Sequence, residues 1–340
     1  MSTPIVSVLL PAHNAATTLP ETLASLRAQS LPDFEVVAVN DGSTDESGAI
    51  LQACAADDLR VRPIQLPRVG LIEALNRGLA ACQGEFVARM DADDLAHPRR
   101  LELQAERLRA QPGLSVVSCL VEPFPADTVT QGFRRYIEWL NALTTPTEIA
   151  RDMFIESPLP HPSVMLRGAE LLALGGYQER GWAEDYDLWL RYHLAGKRME
   201  KITQTLLRWR DHPERATRTD ARYSVENFLR AKAHYLLRDP LCGRDAVIIW
   251  GAGQMGRRLS KHLVRGGAPL LAFLDIDVGK TGRTLRGRPI HSAADLPDLW
   301  RQHTHPALLA AVGSRGARAL IRARLQEWGF TESADFWCVA

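Results

Sequence analysis

The sequence is poor in cysteine, and what it has is dispersed. The five cysteines, Cys54, Cys82, Cys119, Cys242 and Cys338, are odd in number and form no close pairs. That pattern argues against a disulfide framework and a zinc site, and it fits a reducing compartment. An excess of one charge is also lacking, since the formal net charge is +1. Nothing in that balance asks for nucleic acid or an anionic membrane surface. No apolar run approaches the roughly 20 residues of a membrane span. The stretch 5-IVSVLLPAHNAA-16 is apolar and small-residue-rich, but it lacks a basic segment before it and is broken at Pro11 and His13. It reads as a first strand and not as a signal peptide. Internal repeats and low-complexity tracts are absent.

What is present is the composition of a globular protein. The chain has 340 residues, 46% hydrophobic and 24% charged, enough to bury a sizeable core in two domains. In the first half, Ile5–Leu10, Phe34–Val39, Val61–Leu66 and Glu85–Met90 read as strands. Three helices lie between them. The first has Thr18 as N-cap with Glu21 three residues on, the second opens with Ser43 and Glu46, and the third is marked by Leu71, Leu75 and Leu79. Strands separated by helices predict an α/β fold with a mostly parallel sheet and right-handed crossovers.

Ligands of such sheets sit beyond the carboxyl ends of the strands. Asn40-Asp41-Gly42 follows the second strand there, and 91-DADD-94 follows the fourth. Three carboxylates in four positions repel one another unless a cation sits on them. Asp91 and Asp93, two apart in an extended segment, point to one side. Two carboxylate oxygens there suit a hard divalent ion, Mn2+ or Mg2+, which bridges a diphosphate and offsets its charge as it leaves. The alternative is that these acids cap the helix starting at Pro98 or face water, with Asp94 best placed for capping. The position at a strand end, across from Asp41, favours the ion.

Further along, a helix is expected over Pro98–Ala110, a strand over Leu114–Val121 and a helix over Ile137–Leu143. An amphipathic helix through Val225, Phe228, Leu229 and Tyr235, then a break at Asp239-Pro240, precede a fresh strand–turn–helix, 246-AVIIWGAGQMGRRLSKHLVRGG-267. The expected division is a first domain at 1–222, a helical connector at 223–242 and a second domain at 243–340.

The segment 7-SVLLPAHNAATTLPETLASLRAQSLPDFEVVAVNDGSTDES-47 resembles the opening of the family-2 glycosyltransferases, inverting nucleotide-sugar enzymes of GT-A fold. The resemblance continues through 76-NRGLA-80, the DADD run, 161-HPSVMLR-167, 175-GGY-177 and 184-EDYDLWLRYHLAGK-197. Each motif is weak singly, while their order is specific. The resemblance implies a metal-dependent transferase that moves a sugar from a nucleotide-sugar, UDP-linked by preference, to an acceptor hydroxyl in surface glycan synthesis. It implies that Asp41 contacts the nucleobase, its carboxylate accepting a uracil imide N–H; an Asx turn made by Asp-Gly is compatible with that role. Pro11, Ala12 and His13 are implied to cradle the nucleoside. Arg68 and Asn76 are implied to flank the nucleotide, with Arg68 either pairing with a phosphate or lying on the surface. Asp93 is the implied metal ligand, with Asp91 nearer the ribose and the metal shell.

Glu184-Asp185 resembles the family's ED motif, in which one carboxylate is the general base on the acceptor hydroxyl. Asp185 is the expected base and Glu184 the other candidate. An acidic first helical turn also suits the helix dipole. Trp182 either stacks on a sugar face or packs. Within 207-LRWRDHPERATRTDARYS-224, Arg210 and His212 match an Arg-x-His that reaches the diphosphate or the metal in the family. The implied partners are a nucleotide-sugar donor and a glycan or lipid-linked acceptor, with no nucleic acid. The implied location is cytoplasmic, with a peripheral position at the inner membrane face and a homo-oligomer left open.

In the second half, Gly251, Gly253 and Gly256 form G-x-G-x-x-G directly after a strand, and Asp275 ends the next strand about 20 residues on. Alone, this predicts a dinucleotide site and an NAD-dependent oxidoreductase. A dehydrogenase also needs a substrate domain and a catalytic acid or base, and too little chain follows Gly243 for both. A small Rossmann-like accessory domain is the better reading, with a nucleotide ligand or a docking role. The segments 249-IWGAG-253 and 273-FLDIDVGKTGRTLRGRPI-290 also resemble nucleotide-sugar-binding domains of some sugar acyltransferases. Gly279-Lys280-Thr281 is not the tail of a Walker A loop, because Leu274 stands where a glycine is required. A nucleotide-sugar-binding protein with a degenerate catalytic domain is the remaining alternative.

Overall fold

The structure is a computed structural model and describes residues 3–340. By its contacts the chain forms two units. The first takes the chain up to Ile149 together with Pro158–Arg180 and Asp187–Thr219; the second takes Ala150–Ser157, Gly181–Tyr186 and Asp220–Ala340. The second unit thus includes the helix read as a connector and two short earlier pieces, a division that no linear cut reproduces.

The first unit is built on an eight-stranded sheet. Its strands are β1 (Val6–Ala12), β2 (Phe34–Asp41), β3 (Val61–Leu66), β4 (Phe86–Arg89), β5 (Leu95–Ala96), β6 (Leu114–Phe124), β7 (Met165–Arg167) and β8 (Arg198–Arg210), in the order β3-β2-β1-β4-β7-β6-β8-β5. The first four are parallel. They are linked by α1 (Leu19–Arg27), α2 (Ser47–Asp57) and α3 (Leu71–Ala81). β7 runs antiparallel to β4 and β6, β8 is parallel to β6, and short β5 is antiparallel to β8. Every residue of β1 and β2 is buried, as expected of parallel strands covered on both faces. Val8, Leu10, Leu19, Leu23, Phe34 and Met90 belong to one continuous apolar cluster with α4 (Arg100–Ala110) and α5 (Gln131–Ala142). Truncating such a residue, Leu10 for instance, costs about 2–5 kcal/mol. The remaining helices before the second sheet are α6 (Pro146–Asp152), α7 (Gly168–Ala173), α8 (Glu184–Leu194), α9 (Ala216–Thr219) and α10 (Val225–Leu236).

The helix starts differ from expectation in instructive ways. Thr18 is the N-cap of α1, but it makes no capping bond. Its hydroxyl donates to Ala92 O at 3.0 Å, and Glu21 pairs with Arg210. The expected capping box is absent because the Thr18 hydroxyl is drawn to the acidic turn and the Glu21 carboxylate to Arg210. α2 begins at Ser47, while Ser43 Oγ accepts the Asn14 N–H. α4 begins without a side-chain cap, so Asp94 does not serve as one. α5 starts at Gln131, earlier than Ile137, because Thr130 caps it.

The second unit carries a six-stranded sheet. Its strands are β9 (Ala246–Trp250), β10 (Leu270–Asp275), β11 (Thr284–Leu285), β12 (Arg288–Ser292), β13 (Pro306–Ala310) and β14 (Phe336–Cys338), in the order β11-β12-β10-β9-β13-β14. All pairs are parallel except β11 with β12. α11 (Gln254–Arg265) follows β9, and α12 (Leu296–Trp300) and α13 (Ala317–Glu327) flank β13. The chain passes from β9 to one side, then returns to lay β13 on the other. Among the described residues, no helix is long and apolar enough to cross a membrane.

Candidate active site

β1 pairs in parallel with both β2 and β4, so the turns that leave β2 and β4 open on one edge of the sheet. The pairing of β5 with β8 sets Leu95 opposite Arg208, which carries the end of β8 to the acidic turn. Arg210 accordingly donates its backbone N–H to Asp94 Oδ1 (2.8 Å), its Nε to Asp93 O (2.6 Å) and its Nη2 to Glu21 (2.6 Å). Its guanidinium also lies 4.5 Å from the Phe124 ring centroid. His212 Nε2 is 3.0 Å from Asp93 Oδ2, and its Nδ1 is 3.2 Å from Glu214. The hydrogen bond to Asp93 raises the His212 pKa above its ordinary value. Beneath the turn, buried Arg89 donates to Asp91 Oδ1 at 2.6 Å, and buried Arg100 donates to Arg89 O at 2.7 Å. The protein therefore supplies part of the counter-charge itself.

Asp91, Asp93 and Asp94 each offer a carboxylate oxygen within 4.8 Å of the others. Burial first, then the charges of Asp93 and Asp91, push the Asp94 carboxyl well above the usual carboxylate range. Its Oδ2 is buried and accepts no hydrogen bond. An orphaned carboxylate oxygen among three acids fits a hard divalent cation. Asp94, read from the sequence as a helix cap, belongs to this cluster.

Asp41 is 2% exposed, and both of its oxygens are engaged. Oδ1 accepts the Val69 N–H at 2.7 Å, Oδ2 accepts the Gly70 N–H at 3.1 Å, and the Arg68 guanidinium sits on Oδ2. Arg68 is exposed at the surface, and its guanidinium closes the Asp41 carboxylate. Gly42 has φ +62°, and a Cβ there would lie 2.4 Å from Arg68 N, so this turn requires glycine. At the end of β1, His13 Nδ1 is 2.8 Å from Asp41 O, which binds the Pro11–His13 turn to the β2 turn. Asn76, expected to flank the nucleotide, is engaged with the Tyr177 backbone. Its Nδ2 donates to Tyr177 O (2.8 Å) and its Oδ1 accepts the Tyr177 N–H (2.9 Å), so the amide holds the Gly175-Gly176-Tyr177 turn.

The second unit holds the start of α8. Glu184 is buried and accepts the Tyr223 hydroxyl at 2.8 and 2.9 Å on its two oxygens, with the Arg222 guanidinium 3.7 Å away. Asp185, half-buried, accepts the Tyr186 N–H at 2.7 Å. Burial first, and then the Glu184 charge, push the Asp185 carboxyl up to about 8. The two acids are therefore chemically distinct, one held and one poised to titrate. Trp182 packs against His234, ring centroids 5.3 Å apart, with Arg230 over its face, which decides for packing. Tyr223 and Arg222 were missed in the sequence. A tyrosine beside an arginine in a polar segment was visible, but no local pattern tells which acid it serves.

The chain matches the family model "Glycosyl transferase family 2" over residues 7–168. It is 31% identical over 231 residues to the putative glycosyltransferase EpsE of Bacillus subtilis (strain 168), covering 66% of this chain and 80% of that protein. It is 26% identical over 251 residues to the UDP-Gal:alpha-D-GlcNAc-diphosphoundecaprenol beta-1,3-galactosyltransferase of Escherichia coli, covering 72% of this chain and 88% of that one. Among solved structures it resembles S. aureus TarS 1–349 in complex with UDP-GlcNAc, with a TM-score of 0.56 at 21% identity over 76% of this chain and 72% of that 1–349 chain. It also resembles the mannosyltransferase PcManGT from Pyrobaculum calidifontis in complex with GDP-Man and Mn2+, with a TM-score of 0.50 at 20% identity over 97% and 82% of the two chains. The sheet is that of a glycosyltransferase of GT-A type, of the kind that builds glycans. The chain belongs to glycosyltransferase family 2.

Proposed function

We propose that this protein is a metal-dependent, inverting transferase that moves a sugar from a UDP-linked donor to a hydroxyl of a glycan or lipid-linked acceptor. The observation that carries this reading is the convergence of Asp93 with His212 and Arg210, which lie more than a hundred positions apart in sequence. UDP-sugars in the names of the E. coli galactosyltransferase and the TarS complex support the donor; GDP-Man with Mn2+ in PcManGT supports the ion. The acceptor of the E. coli relative, a lipid diphosphate, supports a peripheral place at the inner membrane face. In this reading residues 1–222 carry the transfer, 223–242 connect, and 243–340 form the Rossmann-like accessory domain.

Asp91, Asp93 and Asp94 would hold the divalent ion, Mn2+ or Mg2+, with His212 beside Asp93. When bound, the ion supplies charge stabilisation for the departing diphosphate. Pro11, Ala12 and His13 hold the nucleoside. Arg68 leaves Asp41 for a donor phosphate, which frees Oδ2 to accept a uracil imide N–H. Arg210 keeps the acidic turn in shape through Asp93 and Asp94. Asp185 takes the proton from the acceptor hydroxyl as its oxygen bonds to the anomeric carbon. The bond from that carbon to the diphosphate oxygen breaks on the opposite face, and the diphosphate keeps the electron pair. The configuration inverts. Glu184, held by Tyr223 and Arg222, fixes the start of α8 and so positions Asp185.

The test is titration of UDP into wild type and Asp93→Ala, with Mn2+ and with chelator. Binding that needs Mn2+ in wild type and is lost in the variant is expected. Equal affinity in the two proteins with Mn2+ refutes the metal assignment.

A further inference from the structure

Three glycines follow β9, and they are glycine for different reasons. At Gly251, φ is +119° and a Cβ would lie 2.8 Å from Ala311 O, so the crossing of the β9 and β13 ends requires its absence. At Gly256 a Cβ would lie 1.9 Å from Gly251 O, so close packing of helix on turn requires it. Neither reason applies to Gly253. Its φ is −81°, open to any residue, and a Cβ there meets nothing within 4 Å. Gly253 is moreover the N-cap of α11, where aspartate or serine would cap better, and α11 has no side-chain cap. Its first amides are unsatisfied within the helix. The protein gains nothing internally from glycine at this position.

Gly253 lines a cleft of about 1020 Å³, at the upper end of small-molecule sites. The cleft opens at the carboxyl ends of β9, β10 and β13, where β10 and β13 leave β9 in opposite directions. That crevice is where open parallel sheets receive ligands. Its walls include Trp250, Met255, Ile276, Val312, Leu320 and Trp328. Ile276 is 82% and Leu320 74% exposed, which leaves apolar surface for a ligand to cover. Trp328 stacks on Trp250, centroids 6.0 Å apart, and gives a flat aromatic wall. At the β10 end, Asp275 Oδ2 accepts the Ala252 N–H and the Lys280 ammonium, each at 3.0 Å, and Oδ1 accepts the Asp277 N–H at 3.0 Å. The carboxylate ties down the glycine turn and retains an acceptor position for a hydroxyl. Bare amides for an anion, a cation nearby, a hydroxyl acceptor and a flat apolar wall are together the complement of a nucleotide.

We propose that the second unit has a ligand site of its own in this cleft, which takes the diphosphate of a nucleotide against the Gly253 turn and α11. The diphosphate could come from a dinucleotide or from a nucleotide-sugar. The test uses the full chain carrying Asp93→Ala, in chelator, which silences the proposed metal-dependent donor binding. NAD+, ADP, UDP and UDP-N-acetylglucosamine are titrated by calorimetry and by quenching of tryptophan fluorescence. One-to-one binding of at least one probe is expected. Gly253→Asp, added to this background, should weaken it at least tenfold while thermal stability stays level or rises, because aspartate caps α11 but repels the anion. Leu320→Glu should weaken it as well. Binding of NAD+ but not of UDP compounds identifies the dinucleotide, and the reverse identifies the nucleotide-sugar. No saturable binding in the millimolar range, or binding that Gly253→Asp leaves unchanged, overturns the proposal. Neither failure touches the donor site, which is read from metal-dependent UDP binding in wild type.

Discussion

The two units each place a ligand-ready turn at the carboxyl end of a central parallel strand, and they fill it in opposite ways. After β4 the first unit sets three carboxylates, one of them paired with buried Arg89, and leaves Asp94 Oδ2 without a partner. After β9 the second unit sets glycines, an uncapped helix and a carboxylate already tied to the turn. One turn works through side-chain charge and suits a cation; the other works through backbone amides and suits an anion. Shared topology fixes where a ligand can sit, and residue chemistry decides which sign it carries.

The largest effect should come from the acid assigned to the chemistry itself. Asp185→Asn should cut transfer by about 10²–10⁴-fold, the usual worth of a general base. Donor binding by calorimetry should be unchanged, and near-normal turnover would shift the assignment to Glu184. Next, Asp93→Ala should weaken UDP binding in Mn2+ by about 100-fold, since the ion contributes several kcal/mol. His212→Ala should be milder, about 10–100-fold in metal affinity or activity, with the chelator-treated affinity the same as wild type. In the second unit, stability and not activity should separate the glycines. Gly256→Ala drives a Cβ into the Gly251 carbonyl and should cost about 1–3 kcal/mol. Gly253→Ser should change stability by no more than about 0.5 kcal/mol. Equal melting shifts in the two variants would erase the distinction between a packing glycine and a ligand-facing one.

The smallest and most diagnostic effect is on pH. Burial and Glu184 raise the Asp185 pKa to about 8, so below that pH the base is protonated. Transfer measured as kcat/KM should therefore rise with pH through about 8. Glu184→Gln removes one of the raising influences, the others being burial and the Glu156 charge, and the rising limb should move to lower pH. The same shift bears on stability with a fixed sign. A carboxyl whose folded pKa is raised favours folding most below its unfolded pKa, and that contribution is lost as pH rises through the folded value.

Much of the fold was legible because it rests on local patterns. The apolar runs at Ile5–Leu10 and Phe34–Val39, with a helix between them, predict parallel strands whatever the rest of the chain does, and the strands run over Val6–Ala12 and Phe34–Asp41. Helix starts were less legible, because caps compete with distant acceptors. Thr18 and Glu21 had the right spacing for a capping box, yet Ala92 O and Arg210 claim them across the fold. Asn76 shows the same limit: its amide matches the backbone of Tyr177, a partner no window around position 76 contains.

The sequence by itself determined the class of turn at each strand end, because three acids in four positions and a glycine triplet are local chemistry. Only the tertiary structure decided which acid has an orphaned oxygen, which member of the ED pair is held by Tyr223, and which glycine faces open space. Those distinctions depend on burial and on partners far along the chain, and desolvation by the surrounding fold is what turns identical carboxyls into different groups.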